Sequence, residues 1–147
     1  MISRSLVSLI LLVGVLLAAC ATQPATTTPP SSVGVPVSIE GGTYTNVTPA
    51  QLTEMLKSKD FTFINTHVPY EGEIAQTDVF IPFEENGPQR VGEYPADKSA
   101  QIVLYCRSGR MSTIVANELV KVGYTNVWNL DGGMIAWEQA GYELIEK

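Results

Sequence analysis

The segment that most constrains this chain runs from Gln101 to Leu130 and reads QIVLYC, then RSGRMSTIVANELVKVG, then YTNVWNL. Four apolar residues in a row in QIVLYC, 101–106, predict a strand buried on both faces, as strands of parallel sheets are. Downstream, Met111, Val115, Leu119 and Val122 recur at helical spacing on one side, with Thr113, Asn117 and Lys121 opposite. Gly123 is placed to end that helix. NVWNL, 126–130, predicts the next strand, and a further helix follows over about 132–140, ending at Gly141. A strand, a helix and a second strand of this kind make a βαβ unit, so the fold class is α/β with a mainly parallel sheet.

The upstream half fits the same alternation. In VTPAQL, Thr48 is a capping residue, Pro49 suits the first helical position, and Gln51 completes a capping box. Val47 and Leu52 are spaced as a hydrophobic staple, and the helix should run to about Lys57 with Leu52, Met55 and Leu56 inward. FTFIN (61–65) and DVFIP (78–82) read as strands, the second shorter and stopped by a proline. Residues 83–100 are polar and interrupted by prolines and glycines, which predicts a long surface loop with its acids solvated.

Outside this domain the composition changes. After Arg4, residues 6–19 carry no charge. Fourteen helical residues span roughly 21 Å, short of a bilayer core of about 30 Å, so the segment reads as a secretory leader. It ends in LAAC, 17–20, a pattern that resembles a bacterial lipobox. That resemblance implies cleavage before Cys20, a diacylglycerol on its sulfur, and an extracytoplasmic position anchored to a bacterial membrane. Residues 21–38 hold four prolines among many Thr and Ser, with no apolar period, and read as a tether. The expected organisation is a leader over 1–19, a lipidated cysteine and tether over 20–40, and a folded domain over 41–147.

Two cysteines and one histidine are too few for a disulfide framework or a cysteine/histidine zinc site, so no metal is expected. The formal net charge of −6 argues against a nucleic-acid partner. With Cys20 assigned to lipid, Cys106 is the one thiol left in the domain, and its setting is distinctive. It ends a buried strand, Gly109 permits a sharp turn, and a helix starts within about five residues. Backbone N–H groups and a helix N-terminus can therefore converge on the sulfur, with Arg107 and Arg110 close by. Each of these favours the thiolate, which is the nucleophilic form. Cysteine phosphatases use a comparable cradle but place an arginine six positions after the cysteine; here that position is Ser112, which disfavours phosphate esters. Sulfur transfer is the other chemistry such a loop supports.

From about residue 45 to 145 the chain resembles a single-domain rhodanese. The resemblance lies in the C-R-x-G loop at Cys106, then Gly123, Tyr124, Asn126, Val127, Leu130, Gly132, Gly133, Trp137 and Gly141, with FTFINTHVPYEGEI in the place of the family's D-V-R…E…G-H-I stretch. It implies a three-layer domain with a central five-stranded, mainly parallel sheet and helices on both faces. It also implies that Cys106 carries a persulfide, held by the loop Arg107, Ser108, Gly109, Arg110, Met111 and Ser112. A small anionic donor of thiosulfate or thiosulfonate type would supply the sulfur, and a thiol or cyanide would accept it. No cofactor and a monomeric state go with this reading.

Three departures from the family pattern stand out. Met111 fills the loop's sixth position while basic charge sits at the fifth, Arg110, so no donor preference carries over. Asn65 and His67 replace both members of an acid–base pair, which reads as a neutral structural substitute, because losing both charges is far milder than losing one. Glu73 stands where the family has a histidine. Trp128 and Trp137 read as core residues. Two other functions remain open on sequence grounds: a non-catalytic partner-binding module of this fold, and a thiol redox sensor.

Overall fold

The structure is a computed structural model that describes residues 33–85 and 90–146. The expected leader, Cys20 and the first part of the tether lie outside the described residues. The elements in chain order are β1 (Val35–Ile39), β2 (Gly42–Val47), α1 (Pro49–Leu56), β3 (Thr62–Asn65), β4 (Val79–Phe80), a short 3-10 turn (Val91–Glu93), β5 (Ile102–Tyr105), α2 (Arg110–Lys121), β6 (Val127–Leu130) and α3 (Gly133–Gln139).

The strands form one sheet in the order β1-β2-β6-β5-β3-β4. Pairing is parallel everywhere except between β1 and β2, which form an antiparallel hairpin turning at Glu40 and Gly41. The mainly parallel sheet is as expected, but it has six strands, not five. The extra strand is β1, whose residues 35–39 were read as the end of the tether. Pro36 and the lack of a helical period hide it in the sequence. An edge strand paired on one side tolerates a proline, and Val37 and Ile39 pack against the core.

Side chains alternate across the sheet, so a run of apolar residues in a central strand feeds two cores. From β5, Ile102 and Leu104 join Val115, Ala116, Leu119 and Val120 of α2 on one face. Val103 and Tyr105 join Leu52 of α1 and Met134 and Trp137 of α3 on the other. All four β5 residues are buried, which is why this stretch carries no polar alternation. The helices therefore cover both faces, giving the expected three layers.

Local signals translate directly at α1. Thr48 Oγ1 accepts from Gln51 N over 3.3 Å, and Thr48 N donates to Gln51 Oε1 over 3.0 Å. Val47 and Leu52 are both buried in the α1-side core. Two expectations need correction. Val122 is exposed, not inward, because α2 ends at Lys121 and the chain turns at Val122 before Gly123 takes φ +98°. The 83–100 loop is not wholly superficial: Phe83 and Tyr94 are buried in the α2-side core, and they anchor it. Among the described residues, no helix is long and apolar enough to cross a membrane.

Candidate active site

The site is built where β5 ends. Cys106 follows Tyr105 directly and is buried, with 1% of its surface exposed. The backbone ahead of it is pinned by a neighbouring strand end. Thr66 donates to the Tyr105 carbonyl twice, through its amide over 2.8 Å and its hydroxyl over 3.0 Å. Sequence reading passed over Thr66, since a threonine at a strand end gives no signal that it will reach across to the next strand.

Past Cys106 the chain reverses through Gly109, which has φ +87° and sits at the N-cap of α2. A side chain there would be strained by that backbone angle, and its Cβ would also meet Gly132 N at 3.3 Å. The turn brings the Gly109 amide onto the sulfur, donating to Cys106 Sγ over 3.1 Å. Of the amides expected to converge on the thiol, this is the one that bonds it. Ser112, in the first turn of α2 and fully buried, places its hydroxyl 3.6 Å from Sγ and 3.1 Å from the Gly109 carbonyl. With a single proton, it donates to one or the other. Sulfur thus lies against a main-chain amide and a hydroxyl, two groups with a proton to donate.

The far side of the loop is held by α3. Met134 N donates to the Cys106 carbonyl and Ile135 N to the Arg107 carbonyl, each over 2.9 Å. This close approach requires glycine: a Cβ on Gly133 would lie 2.2 Å from the Cys106 carbonyl oxygen. The Gly132–Gly133 pair therefore does more than turn the chain after β6; it lets one helix start dock on the cysteine loop.

The charged residues lie on the outside. Arg107 is exposed and forms an ion pair with Glu71, from the segment after β3. His67 is buried with neither ring nitrogen hydrogen-bonded, and its Nε2 lies 3.5 Å from the same Glu71 carboxylate. Arg110 is exposed, with its guanidinium 5.8 Å from the centre of the Phe83 ring and 3.9 Å from Glu85. Ser108 is exposed, and Met111 packs partly buried against the α2-side core. Asn65 is architectural, as read: it donates to the Gly72 carbonyl over 3.1 Å and accepts from His67 N over 2.9 Å, closing the 65–72 turn. Trp137 is buried and Trp128 packs against the same core, also as read. Glu71 is a second residue, after Thr66, that the sequence reading missed. Its signal was present, because it is the first of the two glutamates in the FTFINTHVPYEGEI stretch, but nothing local says it will meet Arg107.

A surface cleft of about 650 Å³ lies at the opposite end of the sheet, lined by Lys59, Asp60, Phe61, Thr62, Ala100, Gln101 and Asn126. Those residues flank the amino ends of β3, β5 and β6, whereas open α/β sheets bind ligands at the carboxyl ends, where Cys106 lies. Volume alone is therefore a poor guide here.

Fold and loop together define an α/β domain that presents a buried cysteine at the carboxyl end of a parallel strand, cradled by the start of the next helix. This chain belongs to the rhodanese-like domain family, whose model matches residues 48–140. A sulfurtransferase of Allochromatium vinosum is 41% identical over 58 residues, covering 40% of this chain and 52% of that protein. A tRNA uridine(34) hydroxylase of Hamiltonella defensa is 29% identical over 92 residues, 59% of this chain and 26% of its own length. Among solved structures, a rhodanese-related protein of Thermoplasma volcanium superposes with a TM-score of 0.58 at 24% identity, covering 69% of this chain and 98% of that one. The chain spans about half, or less, of the length of these two curated relatives.

Proposed function

We propose that this protein is a membrane-tethered sulfurtransferase that moves sulfane sulfur through a persulfide on Cys106. The observation that carries the proposal is the setting of the sulfur: a buried thiol accepting from the Gly109 amide, beside the Ser112 hydroxyl, in a loop whose shape needs Gly109 and Gly133. A cysteine serving only as core packing has no use for such a cradle. The match to a protein named sulfurtransferase points the same way.

In the forward step, Cys106 Sγ as thiolate attacks the outer sulfur of a thiosulfate- or thiosulfonate-type donor. The donor's S–S bond breaks, sulfite or a sulfinate leaves with the bonding pair, and Cys106 becomes a persulfide. Gly109 N–H and Ser112 Oγ–H are in place to support the anionic sulfur. A thiol or cyanide then takes the outer sulfur and returns Cys106 to thiolate. No nucleic acid enters the scheme, and the protein acts as a monomer. Lipid on Cys20 would hold the domain at the extracytoplasmic face of a bacterial membrane. Incubation with a thiosulfonate and cyanide should release thiocyanate, and Cys106→Ala should abolish the release. Cys20→Ser should move the protein from the detergent phase to the aqueous phase. Thiocyanate release undiminished in Cys106→Ala would refute the mechanism.

A further inference from the structure

The two loop arginines invite the expectation that the site draws in highly charged anions. Their partners say otherwise. Arg107 is ion-paired with Glu71, and Arg110 has Glu85 3.9 Å away while its guanidinium sits over Phe83. Two positive and two negative charges therefore stand around the loop, each cation within contact of an anion. At distances beyond the pair separation such charges cancel, and attraction of an incoming ligand depends on their sum. A donor with two negative charges gains little from this mouth, and its charge must also come close to the carboxylates.

From this arrangement we infer that Glu71 and Glu85 are specificity-determining residues that set the site against dianionic sulfur donors and in favour of donors with a single negative charge. The inference rests on the proposed sulfur transfer and narrows its donor class. Thiosulfate, S–SO₃²⁻, would give Cys106–S–S⁻ and sulfite dianion. A thiosulfonate, R–SO₂–S⁻, would give the same persulfide and a sulfinate monoanion. The bond made and the bond broken at sulfur are the same in both, so the charge each donor brings to the mouth is a main difference between them. Glu71 is the stronger of the two determinants, because it meets Arg107, the residue adjoining Cys106, and also lies beside His67.

The test is the ratio of kcat/KM for thiosulfate to kcat/KM for methanethiosulfonate, with cyanide as acceptor. Comparing that ratio between each variant and the unsubstituted protein cancels the intrinsic difference in donor reactivity. Glu71→Gln keeps an oxygen for Arg107 and removes the charge; Glu85→Gln does the same for Arg110. The ratio should rise by roughly fivefold or more in Glu71→Gln, and further in the double variant, from Coulomb attraction of a freed cation for a dianion. That gain should shrink between low and high salt, as screening shortens the reach of the charge. A ratio within about twofold of the unsubstituted protein in the double variant at low salt would overturn the inference. So would loss of turnover with both donors in Glu71→Gln, which would assign Glu71 to holding the loop and not to its charge. Absence of turnover with either donor in the unsubstituted protein would instead sink the sulfur-transfer reading beneath it.

Discussion

At the scale of single residues, the site depends on two glycines more than on its charges. Gly109 turns the chain so that its own amide meets Cys106 Sγ, and Gly133 lets α3 dock on the Cys106 and Arg107 carbonyls. The second contact leaves no space for a side chain, and Gly133 also has φ +57°. Gly133→Ala should therefore displace the loop and lower stability by about 1–3 kcal/mol from overpacking and backbone strain. Thiocyanate release should fall far more than fold stability, as measured by turnover beside urea unfolding. Full activity in that variant would show that α3 does not shape the loop. The arginines, by contrast, are exposed and paired, and surface ion pairs contribute little to stability. Cys106 was legible because strand end, glycine and helix start are all local signals. Glu71 and Thr66 were not, because their contacts join residues far apart in sequence, 36 positions for Glu71 and Arg107 and 39 for Thr66 and Tyr105.

At the scale of elements, β5 links the core to the chemistry. It is buried over its whole length, and its last residue, Tyr105, ties the strand to the segment before β4. The Tyr105 hydroxyl accepts from Ile74 N over 3.0 Å and lies 2.7 Å from Thr77 Oγ1. Burial holds its phenol well above the usual range, with hydrogen bonds from Thr77 and Ile74 pulling partly the other way. The folded state thus favours the neutral phenol. The resulting stabilisation is complete below the unfolded value of about 10 and is lost as pH rises through the raised folded value. Tyr94, also raised chiefly by burial, adds to the same alkaline loss. Tyr105→Phe should lower stability at neutral pH by about 1–3 kcal/mol, since Ile74 N loses its partner. It should also flatten the decline between about pH 8 and pH 11. Urea midpoints at the two pH values check both statements; an unchanged alkaline slope would contradict the second. Most elements were legible from period and capping: α1 from its box and staple, α2 from its apolar face, β5 from its unbroken apolar run. β1 was not, because an edge strand needs only partial burial, and a proline within it looks like tether.

At the scale of the whole molecule, a mixed six-stranded sheet with helices on both faces places the Cys106 sulfur at the carboxyl end of a central strand. The antiparallel β1 extends the edge beyond β2, five strands across the sheet from β4. The fold class was readable in advance because βαβ alternation is a chain-wide pattern; the strand count was not, since it turned on one edge. The electrostatic character of the site changed most between sequence and structure. Two arginines close to a cysteine read as positive charge favouring the thiolate, and in three dimensions each has a carboxylate beside it. The most direct measurement of the central claim is the intact mass of the purified protein after incubation with methanethiosulfonate, alone and followed by cyanide. The account predicts a gain equal to one sulfur atom, absent in Cys106→Ser and discharged by cyanide. A correctly folded protein that gains no sulfur, or gains it equally in Cys106→Ser, would contradict it.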